Sequence, residues 1–493
     1  MPSQNRLLGW MGLVFLLGAL GIAVSCEKQR PTEGARSSPA EARIARPELP
    51  SVLIERVPHV RQKPDFCGEA AVASWLGALG HPTSQDAVFD VSGMNPSRGM
   101  GVTTRELETA LRNLGFRVGP VWNEVRASAA SSDMARLFSD LHSDLEKHVP
   151  SIVCMHYDER PNTTEHFRLI LGYDAERDEV VYHEPAEDDG AYRRMSRDRF
   201  LALWPLVYKP DVWTVIRLRL EPGTLRIPGV EEGQDAAAYA QHVMKLRERL
   251  GRGMSVVVEV PFVVVGDGGQ AAVAKRAEGT VRWTVQKLQQ DFFDRAPRRI
   301  LDIWLFETSD SYTRGARALT GEDPTTPYGF YSREHDAMIM NIATGGGTLV
   351  HEIVHPYIEA NFPGCPAWFN EGLGSLFEQS AERDGHIVGL TNWRLAGLQR
   401  ALRRGRGKTL RAVVSTSTDA FYGDDSGLHY ATARYLLYYL QERGVLRQYY
   451  RDFVKNRAND PSGWATLMQE LGNPDESAFQ KQWERFVLAL QFP

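Results

Sequence analysis

Apolar positions change their spacing several times along the chain, and each change predicts a different element. After Arg6, residues Leu7 to Val24 form an apolar run that is short for a membrane span and ends in Ala23-Val-Ser-Cys26, the pattern of an export signal. Glu27 to Pro50 is rich in Arg, Glu, Ser and Pro with almost no large apolar residue, so it is predicted to be a flexible tether. From Cys67 onwards Ala70, Ala71, Ser74, Trp75 and Ala78 recur at helical spacing. A strand opens at His166 in Glu165-His-Phe-Arg-Leu-Ile-Leu-Gly-Tyr173 and ends in a glycine turn, and Glu179-Val-Val-Tyr-His183 is the next strand.

The second half carries its own pattern. Turn clusters at Glu221-Pro-Gly-Thr and Ile227 to Gly233, then a charged helical stretch from Asp235 to Leu250, mark a boundary. Val256 to Val265 reads as a strand pair by its β-branched content, and Val281, Val285, Leu288 and Phe292 recur at helical spacing. Ile300 to Phe306 and Ala337 to Asn341 are further strands. From Trp393 the pattern is helical, with Leu395, Leu398 and Leu402, then Tyr435 to Leu440, then Phe486 to Leu490. The expected class is therefore α+β, a first domain over 51–218 and a second over 254–493 that has a mixed sheet and a helical lobe. Residues 1–26 are the signal, 27–50 the tether and 219–253 a linker with a helix. There is no internal repeat.

Composition adds two exclusions. A chain of 493 residues suits two or three domains, and 57 Lys plus Arg against 62 Asp plus Glu leave no basic footprint for nucleic acid. Beyond Cys26 the cysteines are Cys67, Cys154 and Cys365, an odd number at spacings that match no zinc knuckle, so no disulfide framework is implied. Cys154, inside Ser151-Ile-Val-Cys-Met155, is expected to be a core thiol.

The stretch Gly347-Thr-Leu-Val-His-Glu-Ile-Val-His355 carries chemistry. On a helix His351 and His355 leave the same face and can converge on one metal ion, while Glu352 beside them can take a proton from a water that the metal acidifies. Catalytic zinc needs a third protein ligand, and Glu371 in Pro366-Ala-Trp-Phe-Asn-Glu-Gly-Leu-Gly374 is the best candidate, on a helix that Pro366 is well placed to start. On these residues the second half resembles the gluzincin metallopeptidases of the MA clan. The resemblance implies zinc as the cofactor, His351, His355 and Glu371 as its ligands, and Glu352 as the base. It also implies that the strand 337–341 is an edge that holds extended substrate, and that Tyr430 or His429 stabilises the charged intermediate. Two positions depart from the pattern: Pro356 is expected to kink the helix just after the site, and Ser375 stands where an acid often orients a ligand histidine.

Cys67 is the second centre. It lies in Gln62-Lys-Pro-Asp-Phe-Cys-Gly-Glu-Ala-Ala71, so its thiol should sit at a helix N-terminus, where the dipole favours thiolate and a neighbouring imidazolium would lower the pKa from about 8.5 towards about 3 to 4. His166 fits as that partner, and Glu184, before Pro185, could hold its imidazole in the right tautomer. His156 and His183 are rival bases, each more simply an ordinary strand residue. Residues 51 to about 218 resemble the papain-like peptidases of cysteine family thirty-nine, known for trimming double-glycine leaders from bacteriocin precursors. The matching signs are Gln62 five residues before the cysteine of Asp65-Phe-Cys-Gly68, His166-Phe before Gly172-Tyr-Asp174, and the acid-Pro pair Glu184-Pro185, where the family has Asp-Pro. The resemblance implies Cys67 as nucleophile, His166 as base, Glu184 as orienting acid and Gln62 as oxyanion donor.

The residues before Cys26 resemble a bacterial lipobox, which implies a lipid on that thiol, membrane attachment and an exported protein of the bacterial cell envelope. The whole reads as an exported lipoprotein that hydrolyses peptide bonds of a peptide or protein substrate through a zinc site and through a separate Cys/His/acid triad. Two alternatives stand beside it: a peptide-binding or scaffold lipoprotein in which one or both sites are inactive, and a cell-wall amidase.

Overall fold

The computed structural model describes residues 49–492 apart from 162, 228–235 and 252. The export signal, Cys26 and nearly all of the tether lie outside the described residues. Among the described residues no helix is long and apolar enough to cross a membrane. The chain is α+β and forms two compact units; the second gathers the short segment Asn95–Gly99 with the residues from Glu231 onwards.

The first unit is built on β1 (Val52–Leu53), β2 (Phe116–Arg117), β3 (Trp122–Arg126), β4 (Ser151–His156), β5 (Glu165–Asp174), β6 (Glu179–His183), β7 (Arg193–Ser196), β8 (Leu206–Lys209), β9 (Val212–Arg219) and β10 (Glu221–Pro222). Its main sheet runs β3-β9-β4-β5-β6-β7, with β1 added to β5 and β8 to β9. Every pairing is antiparallel. The helix Cys67–Ala78 is buried at every position from Cys67 to Leu76, which explains why its apolar residues go nearly all the way round instead of forming a stripe. It lies close on β5: a Cβ at Gly68 would come within 3.1 Å of the Phe167 ring and 2.9 Å of Leu107, so only glycine fits there. Cys67 and His166 each adjoin one member of that contact.

The second unit holds β11 (Ser255–Glu259), β12 (Phe262–Gly266), β13 (Leu301–Phe306), β14 (Gly329–Ser332) and β15 (Ala337–Asn341), in the order β11-β12-β13-β15-β14. The three central strands are parallel and the two outer ones antiparallel, a mixed sheet. Central strands covered on both faces are apolar nearly throughout, as β12 and, apart from Asp302, β13 show. Alternation then sorts them. Phe262, Val264, Ile303, Leu305, Met338 and Met340 face a core shared with Leu349, Ile353 and the helical lobe, whereas Val263, Val265, Trp304, Phe306 and Ile339 face a second core with Tyr239, Val243 and Leu246.

Several expectations change here. β15 is an interior strand, because β14 pairs along its outer side and takes the edge. Of the stretch 219–253, read as a linker, β10 pairs with β2, and the helix Ala236–Arg247 supplies Tyr239, Val243 and Leu246 to the second core. The helix read from Val281 to Phe292 begins earlier, at Gln270, and passes through a π turn at Ala277–Arg282 before Trp283–Asp291. The helix Gly347–Asn361 contains Pro356 in its interior. Proline at that position cannot donate to the Glu352 carbonyl, so the helix loses one bond beside the site without ending.

Candidate functional site

The residues singled out by sequence fall into two groups, one in each unit. In the first, Cys67 is the opening residue of its helix and is buried, with Phe66 as the N-cap and no side chain capping the end. The thiol thus stands at the positive end of the helix dipole, which favours thiolate. His166 donates or accepts through Nε2 at 2.5 Å from Glu184 Oε1, which leaves Nδ1 as the ring nitrogen for other partners. The glutamate does reach the imidazole despite its extra methylene. Its second oxygen, Oε2, accepts from Arg168 Nε at 2.7 Å, and Oε1 also accepts from the Ala186 amide at 3.1 Å. Burial opposes the carboxylate, but His166 and Arg168 outweigh it and hold Glu184 down at about 2. His166 is lowered, chiefly by burial; Glu184 opposes that shift and Arg168 adds to it.

Gln62 is tied to the same loop, its amide donating to the Pro185 carbonyl at 2.9 Å. Its side-chain Oε1 is buried and has no hydrogen-bond partner among the described residues. A side-chain amide poised beside the triad with an unsatisfied end suits the oxyanion role, since the two ends of the amide are interchangeable by rotation. Of the rival bases, His183 is enclosed edge-on by His59 and Tyr192 and lowered to about 4 by burial and by His59, while the His156 carbonyl accepts from Arg168. Cys154 is fully buried in β4.

Two acids that sequence reasoning passed over flank Cys67. Asp65 Oδ2 accepts from the Gly101 amide at 2.9 Å, and Glu69 Oε1 from the Val102 amide at 2.9 Å, so both fasten one loop to the start of the Cys67 helix. Burial pushes Asp65 up to about 7 and Glu69 up to about 8. Protonated carboxyls there spare a thiolate the repulsion that two charges would impose.

In the second unit His351, His355 and Glu371 bring one ligand atom each to within 4.8 Å of one another. The helix Gly347–Asn361 presents the two histidines, with ring centroids 4.8 Å apart, and the helix Ala367–Phe377 presents Glu371. Close approach of the helices depends on Gly374, where a Cβ would lie 3.0 to 3.2 Å from the His351 ring. Each histidine is oriented from behind: His351 Nδ1 lies 3.1 Å from Glu378 Oε1, and His355 Nδ1 lies 2.9 Å from Asn370 Oδ1. With the Nδ1 protons donated there, both Nε2 lone pairs face the Glu371 carboxylate, at 3.1 Å for His351 and 3.9 Å for His355.

Lone pairs at that distance repel unless a proton or a cation sits between them. A proton serves in the metal-free arrangement: burial works against it, but the carboxylates of Glu371 and Glu378 on its two nitrogens push His351 up to about 10. Two imidazoles and a carboxylate, each supported by an outer partner, fit zinc. Glu352 lies 3.9 Å from His355 Nε2, and burial lifts it above the usual carboxylate range.

The outer partners differ from the sequence expectation. Ser375 is not the orienting residue; its carbonyl accepts from the buried Arg434 at 2.8 Å, and Glu378 takes the role, itself held by both Arg394 nitrogens and by Asn392. Tyr430 lies within the electrostatic reach of Glu371, and the residue that hydrogen-bonds it is Tyr422, whose hydroxyl is 2.5 Å from Glu371 Oε1. His429 turns away to the Phe421 carbonyl at 3.1 Å and stacks on the Phe421 ring.

Residues 54–211 match the family model described as Peptidase_C39 like family. Among solved structures, the peptidase domain of Streptococcus ComA, described as a bi-functional ABC transporter involved in a quorum sensing pathway, is 19% identical over 34% of this chain and 99% of that domain, with a TM-score of 0.23. A comparison with curated proteins finds no match. Over residues 54–211 the first unit is thus similar to C39-like peptidases.

Proposed function

We propose that this protein hydrolyses peptide bonds and that the centre formed by Cys67, His166 and Glu184 does so in the first unit. The observation that carries the reading is the contact of His166 Nε2 with Glu184 Oε1 within a domain that matches a peptidase family model. Glu184 fixes the ring so that Nδ1 is available to take the Cys67 proton, the thiolate attacks the scissile carbonyl, and the imidazolium returns the proton to the leaving amine. The amides at the helix start and the Gln62 side chain are placed to receive the oxyanion. Digestion of a peptide library by the full chain and by Cys67→Ala tests this. Cleavages absent from the variant support it, and identical digests would reject it.

The convergence of His351, His355 and Glu371 favours a second hydrolytic centre, a zinc peptidase of gluzincin type. Zinc held by these three would supply Lewis acidity to a substrate carbonyl and to water. Glu352 would accept the proton of the attacking water and pass it to the leaving amine, and Glu378 and Asn370 would keep the two imidazoles in their ligating tautomer. Tyr422 bonds Glu371 and Tyr430 stands beside Tyr422, and either phenol could donate to a developing negative charge. We further propose an exported bacterial lipoprotein held at a membrane through Cys26. Unaltered fractionation and mass in Cys26→Ser would exclude that anchor.

A further inference from the structure

Among the described residues Trp393 is the large hydrophobic residue most open to solvent, 62% exposed, and yet its place is fixed. It follows the hairpin formed by Ser380–Arg383 and His386–Gly389. Asn392, directly before it, is buried and tied on three sides: its amide donates to the Tyr435 hydroxyl at 3.0 Å, its Nδ2 donates to Glu378 Oε2 at 3.1 Å, and its Oδ1 accepts from the Arg394 amide at 3.1 Å. The indole then lies on the Arg394 guanidinium, whose Cζ is 4.2 Å from the ring centroid. Arg394 is clamped by Glu378 at 2.7 and 3.1 Å. One face of the ring therefore rests on a fixed cation, and the opposite face is the part open to a partner.

This ring ends a row that starts at the His351, His355 and Glu371 cluster. Tyr422 donates to Glu371 Oε1, and the Tyr430 ring stands 6.3 Å from that of Tyr422. The same Arg394 guanidinium lies 5.2 Å from the Tyr430 centroid before it meets Trp393. Tyr422 is 48% exposed, so the row has an open ring at each end. Charge narrows what such a row holds. Arg394 under the indole disfavours a second cation above it, and Glu371 and Glu378 disfavour an anion nearby. A neutral aromatic ring meets neither penalty, and it stacks on a surface that Asn392 and Arg394 have already ordered. Distance narrows it again. Trp393 is reached from Glu371 by way of Tyr422, Tyr430 and Arg394, so it faces a residue away from the bond being cut. In an extended peptide the side chains on one face recur every second residue, about 6.6 Å apart, so the indole meets a side chain roughly two residues from that bond.

We propose that Trp393 is a specificity-determining residue of the second unit's hydrolytic centre, a stacking platform for an aromatic side chain of the substrate about two residues from the scissile bond. This rests on the reading of His351, His355 and Glu371 as a zinc peptidase centre. Stacking so far from the reacting atoms is the same in the ground state and the transition state, so it acts on KM and leaves kcat alone. A merely structural indole would instead shield the Arg394–Glu378 pair from water. Its loss would then loosen His351, weaken zinc binding and slow every substrate alike.

The test is steady-state cleavage by the full chain carrying Cys67→Ala, with zinc, of peptides that differ only at the position about two residues from the scissile bond, which holds Phe, Leu, Lys, Glu or Gly. The Phe peptide should be preferred, and Trp393→Ala should raise its KM about tenfold while kcat and zinc content hold. Trp393→Phe, which keeps a ring, should retain most of the preference. Loss of zinc together with an equal fall on every peptide would mean that the indole only shields the Arg394–Glu378 pair, and an unaltered KM would mean that it does not touch substrate. Either result overturns the proposal. So does a preference for Glu that survives Trp393→Ala and is lost in Arg333→Gln, because the exposed Arg333, which acts on Tyr422 from further out, would then set the specificity. If a chelator removes no cleavage from the Cys67→Ala chain, the zinc reading itself fails and the subsite falls with it, a failure seen before any change is made at Trp393.

Discussion

The two centres are both built from histidine and glutamate, yet they balance charge in opposite ways. In the first, the Glu184 carboxylate beside His166 meets a buried guanidinium at 2.7 Å, and burial favours the neutral form of the two acids that flank Cys67. Around His351 gather three carboxyl groups, Glu352, Glu371 and Glu378, and the guanidinium bonded to them among the described residues, that of Arg394, sits behind Glu378. The proposed zinc would offset that negative charge, and in the metal-free arrangement a proton on His351 does so. A triad that works by proton transfer needs balanced, exchangeable protons, whereas a site that holds a cation needs a surplus of donors. The arrangement of arginines, more than the histidines and glutamates themselves, separates the two.

The largest effect that would break this comparison is loss of a nucleophile or a ligand. Cys67→Ala should reduce thiol-dependent cleavage by about a thousandfold or more without altering zinc content, as peptide digestion and elemental analysis would show. Glu371→Ala should do the reverse, lowering zinc from about one per chain towards none while Cys67 labels at its usual rate. Next comes the outer partner: Glu378→Ala should weaken zinc binding by about 10- to 100-fold, readable by competition with a coloured chelator.

A smaller effect sharpens the charge argument. In the metal-free protein His351 is raised from 6.5 to about 10, so its contribution to stability is fully present below pH 6.5 and is lost as pH rises through 10. Thermal melts in chelator should therefore weaken over that window, and melts with zinc should not. Glu69 gives the last test, in the other unit, with a shift of similar size. Its carboxyl is raised from 4.5 to about 8, so the folded state binds the proton more tightly and stability should decline between those pH values, by at most about 1.4 kcal/mol per unit. Glu69→Gln should flatten that decline; an unchanged slope would mean that the acid is not the source.

The groups that the structure brings together, His166 with Glu184 and His351 with His355 and Glu371, were legible in the sequence because their spacing is dictated by helix and strand geometry. His351 and His355 share a helical face, and the strands β5 and β6 alternate and end where the Gly-Tyr and Glu-Pro signals place them. What escaped lies just beyond the reach of those periods. Glu378 sits seven residues after Glu371, on the same face but one residue past the helix end at Phe377, so a search one turn ahead stopped at Ser375. Arg168 was hidden in plain alternation: two positions from His166, it reads as an isolated charge in an apolar strand until Glu184 is seen opposite. Asn370 and Tyr422 orient His355 and Glu371 from positions that no local period marks. The interior place of β15 was not legible because β14, only four residues long, carries too little pattern to announce a strand outside it.

The central claim, two hydrolytic centres with separate nucleophiles and no shared residue, is tested most directly by peptide cleavage in all four combinations of chelator and iodoacetamide. The account predicts that each reagent alone removes one set of cleavage products, that the two sets differ, and that only both together abolish cleavage. If either reagent alone removes every product, or if the chelator removes none, the protein does not have two independent centres.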